Sequence, residues 1–366
     1  MINLIFKRFI IKVKKLRFFR FANKNKLLSF VPIPFARAFI ISLCLSLLFA
    51  ACTANNASNT TTVSANNSTP TQASVLRFGY QKSAILLKTK GLLEKRLQPE
   101  GVSVEWIEFP AGPQLLEAMN VGSIDFGHTG ELPPIFAQAA GADITYVAGI
   151  APNPAGSAVL VPQNSSIKTI ADLKGKKIAV QKGSSAHYLL VQILEKAGIK
   201  YSEIQPIFLP PADARAAFVK NSVDAWVIWD PFYAAAEKNA NARVLITGEG
   251  ITKQGGYYLA RRKYVTENQE IIKAVLEEIK NLEDWSDKNR DEVAATLAPV
   301  LNIDLDTMKK ATARKQFGVV KIDENLIATQ QKVADKFYEL KLIPKQIDVK
   351  EVTLTPEQYA AFSPKI

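Results

Sequence analysis

Residues 126–134, with the sequence FGHTGELPP, contain the signals that decide the fold. A strand ends at a Thr-Gly pair, and two prolines then open a helix, a position where proline is tolerated because the first N–H groups have no intrahelical partner. The same order recurs in QKGSSAH at 181–187, where a glycine turn precedes a helix that begins at serine. Both stretches predict a strand followed directly by a helix.

Strand and helix patterns alternate through most of the chain. Alternating apolar residues predict strands at 76–80 and 102–106, and helical spacing predicts helices at 86–97 and 184–197. From Glu267 onward the pattern becomes mainly helical. Strands separated by helices of this length predict an α/β fold with mostly parallel sheets, and the chain is long enough for two lobes. The loops at the carboxyl ends of parallel strands would then form a ligand cleft between the lobes.

The N-terminal segment has the charge pattern of an export signal. Residues 1–52 carry ten Lys or Arg and no Asp or Glu, and residues 38–51 form an uncharged, mostly apolar run of 14 residues. As a helix this run would span roughly 21 Å, which is shorter than the ~30 Å hydrocarbon core of a bilayer. The pattern predicts a signal peptide at 1–51 and an extracytoplasmic protein.

The sequence LFAAC at 48–52 resembles a bacterial lipobox, which predicts lipidation of Cys52. The alternative is an ordinary cut near Ala50-Ala51, which would release a soluble protein. Residues 52–74 are rich in Thr, Asn, Ser and Ala, a composition that favours a flexible tether. A tether beside a candidate anchor is consistent with attachment to the membrane through lipid alone.

Composition argues against several classes of function. The net charge is +12, but the chain outside residues 1–52 carries 36 basic and 34 acidic side chains, so we expect no nucleic-acid partner. Both cysteines lie within residues 1–52, and the two histidines, His128 and His187, are far apart in sequence. We therefore expect no disulfide, no metal site and no cofactor. No nucleophile elbow, phosphate loop or dinucleotide motif is present, and we expect no enzyme activity and no catalytic residue.

Six residues form the candidate ligand site. Thr129, Gly130, Ser184 and Ser185 stand where strands give way to helices, whose first N–H groups and positive dipole end suit an anion. Two further residues lie at strand ends, Gln81 as a possible amide donor and Trp229 as a possible aromatic wall. The alternatives are ordinary N-caps for the hydroxyl residues, core packing for the tryptophan and a solvated glutamine.

Several long runs, in order from Leu76 to Asp348, resemble the aliphatic sulfonate-binding proteins of bacterial ABC importers. These runs are GYQK at 79–82, FPAGPQ at 109–114, NVGSID at 120–125, TGELPPIFAQAAGAD at 129–143, QKGSS at 181–185, PADARAAF at 211–218, and DAW through DP at 224–231.

The resemblance implies a two-lobed periplasmic-binding-protein fold of type II with two crossovers. The first lobe would comprise 75–162 and, with the C-terminal helices, 251–366, and the second lobe 163–250. Gln81, Thr129, Gly130, Ser184, Ser185 and Trp229 would line the cleft. The protein, which we expect to be a monomer, would deliver an alkanesulfonate in the periplasm to an ABC permease and its ATPase for sulfur uptake.

Other readings remain open at the level of sequence. The same fold could bind taurine, nitrate, bicarbonate or a pyrimidine precursor of thiamine, or serve a sensory lipoprotein. A pyrimidine synthase on this fold is disfavoured, because its cysteine-rich motif is absent and an export signal is present. Glu131 would repel an anion, so we expect it to pair with a cation, face solvent or contact an amine on the ligand.

Overall fold

Two β-sheets with flanking helices form the two lobes of the protein. The structure, a computed structural model, describes residues 74–253 and 255–362, and all of them lie within one compact unit. The predicted signal peptide at 1–51, the predicted lipidation site at Cys52 and the predicted tether up to residue 73 lie outside the described residues. Ser74, predicted as the last residue of the tether, is the first residue of a strand.

The strands are β1 (Ser74–Tyr80), β2 (Val102–Glu108), β3 (Phe126–Gly130), β4 (Ile144–Ile150), β5 (Ser157–Pro162), β6 (Lys177–Val180), β7 (Gln205–Phe208), β8 (Ala225–Trp229), β9 (Ala242–Thr247), β10 (Gly256–Arg261) and β11 (Val319–Val320). The α-helices are α1 (Leu86–Lys90), α2 (Leu92–Leu97), α3 (Gly112–Asn120), α4 (Leu132–Ala139), α5 (Ser185–Lys196), α6 (Pro211–Val219), α7 (Phe232–Asn239), α8 (Arg262–Glu267), α9 (Gln269–Lys288), α10 (Arg290–Leu301), α11 (Leu305–Arg314), α12 (Glu324–Glu339) and α13 (Pro356–Phe362). The helix predicted at 86–97 is divided at Gly91, whose φ of +60° is a left-handed conformation that ends α1.

The two sheets share one topological plan. The strand order is β11-β4-β10-β3-β1-β2 in the first lobe and β7-β6-β8-β5-β9 in the second. Each sheet contains one strand that runs antiparallel to both of its neighbours. In the second lobe this strand is β5, between β8 and β9, and in the first lobe it is β10, between β3 and β4. Both are the first strand formed after the chain crosses from one lobe to the other. The predicted α/β architecture with two lobes is therefore confirmed.

The first crossover lies earlier than the boundary predicted at 162/163. Strand β5 pairs with β8 and β9 and thus belongs to the second lobe, so the chain leaves the first lobe after β4. An apolar strand carries no local signal of which sheet it joins, because partner choice depends on long-range contacts. The return crossover lies between Thr247 and Gly256, and the boundary predicted at 250/251 falls within it.

Burial explains why the central strands of the second lobe have continuous apolar sequences. Residues Ala158–Val161 of β5 and Ala225–Ile228 of β8 are buried, because helices or loops cover both faces of this sheet. In the first lobe, the sheet packs with α3 and α4 and with the C-terminal helices in one continuous core. Within the described part of the chain, no helix is both long and apolar enough to cross a membrane.

Candidate functional site

A cleft of about 230 Å³ lies between the two lobes, and all six residues predicted for the site line it. From the first lobe come the residue after β1 and the end of β3, and from the second lobe come the start of α5 and the end of β8. These segments meet because the carboxyl ends of the parallel strands in each sheet face the other lobe. The structure thus brings Gln81, Thr129, Gly130, Ser184, Ser185 and Trp229 together in space.

Gln81 follows β1 and is almost completely buried. Its side-chain Nε2 donates a hydrogen bond of 2.9 Å to the backbone oxygen of His128 in β3. This bond fixes the orientation of the amide at the wall of the cleft. A primary amide has two donor hydrogens and one acceptor oxygen, so one hydrogen is committed to the protein and the other remains available for a different acceptor.

The first strand-to-helix turn differs from the sequence-based expectation. Thr129 and Gly130 belong to β3, and α4 begins only at Leu132. The hydroxyl of Thr129 donates to the backbone oxygen of Gly130 at 2.9 Å. Pro133 and Pro134 have no N–H, so the first turn of α4 offers fewer backbone donors than we expected of an anion site.

The second turn retains its donors. Ser184 is the N-cap of α5, where its Oγ accepts from the backbone N–H of His187 at 3.4 Å and donates to the backbone oxygen of Gln181 at 2.8 Å. Its hydroxyl is therefore used within the protein. Ser185 is the first residue of this 12-residue helix and points toward the cleft, at the positive end of the helix dipole. The start of α5 is the stronger of the two anion-binding positions.

Gly130 and Ser185 bring the two lobes into direct contact. A Cβ atom built on Gly130 would lie 1.6 Å from Oγ and 3.0 Å from Cβ of Ser185. A side chain at position 130 therefore requires the side chain of Ser185 to move or the lobes to separate. The role of Gly130 in this structure is to let the two lobes approach closely. The sequence did not reveal this role.

Trp229, at the end of β8, forms part of the wall of the second lobe. It is half-buried, and its ring meets Phe232 edge-on at 6.3 Å between centroids. Trp226, three residues earlier, is 1% exposed and packs against Phe218 in the core. The two tryptophans of this strand thus have different environments, and the one at the strand end is open to the cleft.

His187 supports the loop before α5, a role that sequence reasoning missed. Its Nδ1 accepts from the backbone N–H of Gly183 at 3.2 Å, so the proton of the neutral ring is on Nε2, which donates to the hydroxyl of Tyr201 at 2.8 Å. Burial, with a smaller effect of Lys182, lowers the pKa of His187 to about 4. The sequence contained one sign of this role: His187 lies four residues after Gly183, a spacing of about one helical turn that allows its ring to reach the backbone of the preceding loop.

A second group of residues missed by sequence reasoning joins the lobes beside Trp229. Arg314 of α11 lies 3.5 Å from Asp230 and 2.5 Å from Glu237 of α7, and its guanidinium stacks 3.7 Å from the ring centroid of Tyr233. Burial raises the pKa of Asp230 to about 6, although Arg314 opposes this shift. These charges are largely buried and hold the second lobe to the C-terminal part of the first.

Glu131 lies outside the lining of the cleft. It is only 5% exposed, so the expectation that it faces solvent is wrong. Its backbone oxygen accepts from Nε2 of Gln330 at 2.6 Å. Burial raises the pKa of Tyr188, and the carboxylate of Glu131 adds to that shift. Because Glu131 does not line the cleft, its carboxylate does not face an anion bound there.

The described residues contain no cluster of three or more His, Cys, Asp or Glu side chains that could hold a metal ion. The cleft presents hydrogen-bonding groups beside apolar and aromatic walls, and its lining also includes the charged residues Lys82, Asp230, Glu283 and Lys315. This arrangement can bind an anion with an organic substituent.

The fold and cleft define a two-lobed binding protein of the periplasmic-binding-protein class. A family model described as "NMT1/THI5 like" matches residues 97–293. An aliphatic sulfonates-binding protein of Escherichia coli (strain K12) is 46% identical over 287 residues, which covers 77% of this chain and 89% of that protein. The chain belongs to the NMT1/THI5-like family, in its group of aliphatic sulfonate-binding proteins.

Solved structures agree with this assignment. The alkanesulfonate-binding protein of Xanthomonas axonopodis pv. citri, bound to MOPS, matches with a TM-score of 0.74 and 43% identity, covering 77% of this chain and 98% of that one. The periplasmic aliphatic sulphonate binding protein of Escherichia coli matches with a TM-score of 0.70 and 45% identity, covering 77% and 92%. The resemblance noted in the sequence is confirmed.

Proposed function

We propose that this protein is the extracytoplasmic binding component of an ABC importer and binds aliphatic sulfonates in the cleft between its lobes. The observation that carries the proposal is the convergence of the start of α5, Gln81 and Trp229 on one cleft. Its similarity to sulfonate-binding proteins supports the same ligand class. In this role the protein binds its ligand without transforming it and delivers it to a membrane permease driven by an ATPase.

The chemistry of the cleft suits a sulfonate. Near neutral pH a sulfonate is an anion with three acceptor oxygens and no donor, so its site should present donors. The first turn of α5, the hydroxyl of Ser185 and the amide of Gln81 present donors of this kind at the cleft wall. A hydrogen bond to a charged group contributes about 1.5–3 kcal/mol. Several such bonds, less the cost of ordering, reach the ~8 kcal/mol of a micromolar ligand.

Contributions from both lobes link binding to closure. Gly130 and Gln81 belong to the first lobe, and Ser185 and Trp229 to the second. A ligand that contacts both lobes stabilises the arrangement in which they meet, and the permease would recognise that closed form. This coupling is part of the proposal.

The cellular setting is also proposed. A periplasmic location is supported by the similarity to a periplasmic sulphonate binding protein, and anchoring through Cys52 by the lipobox-like sequence. We propose a monomer attached to the membrane by lipid alone. Replacement of Cys52 by alanine should move the protein from the membrane to the soluble fraction; a wild-type protein that is already soluble would contradict the anchor.

The experiment that tests the ligand class is a titration of intrinsic tryptophan fluorescence. The purified protein is titrated with alkanesulfonates, taurine, sulfate, nitrate, bicarbonate and a thiamine-precursor pyrimidine. We expect saturation in the micromolar range with alkanesulfonates and a loss of most of the signal, but not of calorimetric binding, in Trp229→Phe. Saturation by a different compound alone would overturn the ligand, and calorimetric silence toward every compound would overturn the binding role.

A further inference from the structure

The cleft continues beyond the six site residues into the interior of the first lobe. Its floor there is one face of the sheet. Phe78 lies opposite Phe126 in the pairing of β1 with β3, and Tyr258 lies opposite His128 in the pairing of β10 with β3. Because Phe126 and His128 are two residues apart, these side chains share one face. Phe78, His128 and Tyr258 all line the cavity.

Three helices form the opposite wall of this extension, which we call the tail chamber. Most of the wall residues that come from α9, α10 and α11 are apolar and buried, and Glu283 of α9 and Thr312 of α11 add polar groups. The buried apolar residues are Ile279, Leu282, Val293, Leu297, Met308 and Ala311. The tail chamber is therefore a deep apolar space that opens into a cleft lined with polar groups, a combination typical of sites for amphipathic ligands.

The polar side chains of the tail chamber carry no uncompensated charge. His128 is 7% exposed, and burial, with a smaller effect of Lys315, lowers its pKa to about 4, so the ring is neutral at pH 7. Its Nε2 has no hydrogen-bond partner among the described residues. Glu283 lies 3.5 Å from Lys315 and accepts from the backbone N–H of Gly318 at 3.0 Å. A ligand group in this space has no charge to neutralise.

We propose that the tail chamber is a subsite for the uncharged alkyl tail of the ligand, whose sulfonate group lies at the start of α5. This inference rests on the proposed function and adds the direction in which the tail runs: into the first lobe, between its sheet and α9–α11. The tail chamber is the deeper part of a cleft whose total volume is about 230 Å³, so only a part of that volume is open to the tail.

A homologous series of ligands measures the subsite directly. Methane-, butane-, hexane- and octanesulfonate are titrated into the purified protein by calorimetry. Each methylene group that enters the tail chamber should tighten binding about fourfold, equivalent to about 0.8 kcal/mol, until the space is filled. Equal affinity for all chain lengths would overturn the tail chamber but leave the proposed function in place. Absence of binding for every length would overturn both.

Two variants locate the effect. Ala311→Leu fills the tail chamber from α11 and should weaken hexanesulfonate at least tenfold while changing methanesulfonate less than twofold. Ala313→Leu, on the exposed side of the same helix, is the matched control and should change neither. Leu297→Ala enlarges the space and should raise the affinity for octanesulfonate relative to hexanesulfonate. Unchanged chain-length preference in both folded variants, with folding checked by thermal denaturation, would refute the assignment.

Discussion

Replacement of Gly130 by alanine should weaken ligand binding about 5- to 150-fold. The new Cβ would lie 1.6 Å from Oγ and 3.0 Å from Cβ of Ser185 when the lobes are in contact. Relief of such a clash by side-chain and backbone shifts costs about 1–3 kcal/mol, which corresponds to that range of dissociation constants. The cost falls on the closed form, because the clash joins two different lobes and disappears when they separate.

A double-mutant cycle tests this reasoning. Binding of an alkanesulfonate is measured by calorimetry for wild type, Gly130→Ala, Ser185→Gly and the double variant. Since Ser185→Gly removes both atoms that meet the new Cβ, alanine at 130 should cost little in that background. An unchanged affinity in Gly130→Ala would refute the close contact. A double variant in which alanine costs as much as in wild type would refute the assignment of the cost to Ser185.

Three further predictions concern the site and its supports. Ser185→Ala should weaken sulfonate binding about tenfold in calorimetry, and Ser184→Ala should lower the free energy of unfolding by about 1 kcal/mol because it removes an N-cap; unchanged sulfonate affinity in Ser185→Ala would contradict its place in the binding site, and unchanged stability in Ser184→Ala would contradict the capping role. The pKa of His128 is lowered to about 4 by burial, so acidification from about pH 6.5 to 4 should cost up to ~3 kcal/mol of stability through this group, and His128→Phe should remove that cost. Chemical denaturation of wild type and His128→Phe at both pH values measures the contribution of this histidine. The comparison with the variant is needed because Asp230, with a pKa raised to about 6, changes stability in the opposite direction over the same pH range. Arg314→Gln removes the cation beside Asp230, while Glu237 keeps Lys310 at 2.7 Å, and should lower the free energy of unfolding by ~3 kcal/mol; Arg314→Lys should recover part of it in the same denaturation assay, and an unchanged stability in the glutamine variant would show that the Arg314–Asp230 ion pair contributes nothing.

Much of the fold could be read from local sequence. The strand predicted at 102–106 lies within β2 and begins at the same residue, and the helix predicted at 184–197 lies within one residue of α5 at each end. These elements depend on alternation, on a serine N-cap and on a glycine turn, which act between residues close in sequence. The predicted lobe boundary at 162/163 was wrong because the apolar pattern of β5 fits either sheet equally well.

The sequence predicted six residues that line one cleft, but not the hydrogen bonds that they make there. All six predicted residues line one cleft, yet the hydroxyls of Thr129 and Ser184 donate to backbone oxygens and are used within the protein. Hydroxyl side chains at strand ends look alike in sequence whether they bind a ligand or cap a turn. Their hydrogen-bond partners are decided by distances of a few tenths of an ångström that no pattern encodes.

The sequence by itself determined the alternation of strands and helices, the export-type charge pattern, the family and the strand ends that line the cleft. Only the tertiary structure decided that β5 joins the second sheet, that Gly130 and Ser185 touch across the lobes, and that an apolar chamber opens beneath α9–α11. The reason is physical. Local patterns record backbone preferences and the burial of one face, whereas contacts between distant segments arise from how complete lobes pack against each other.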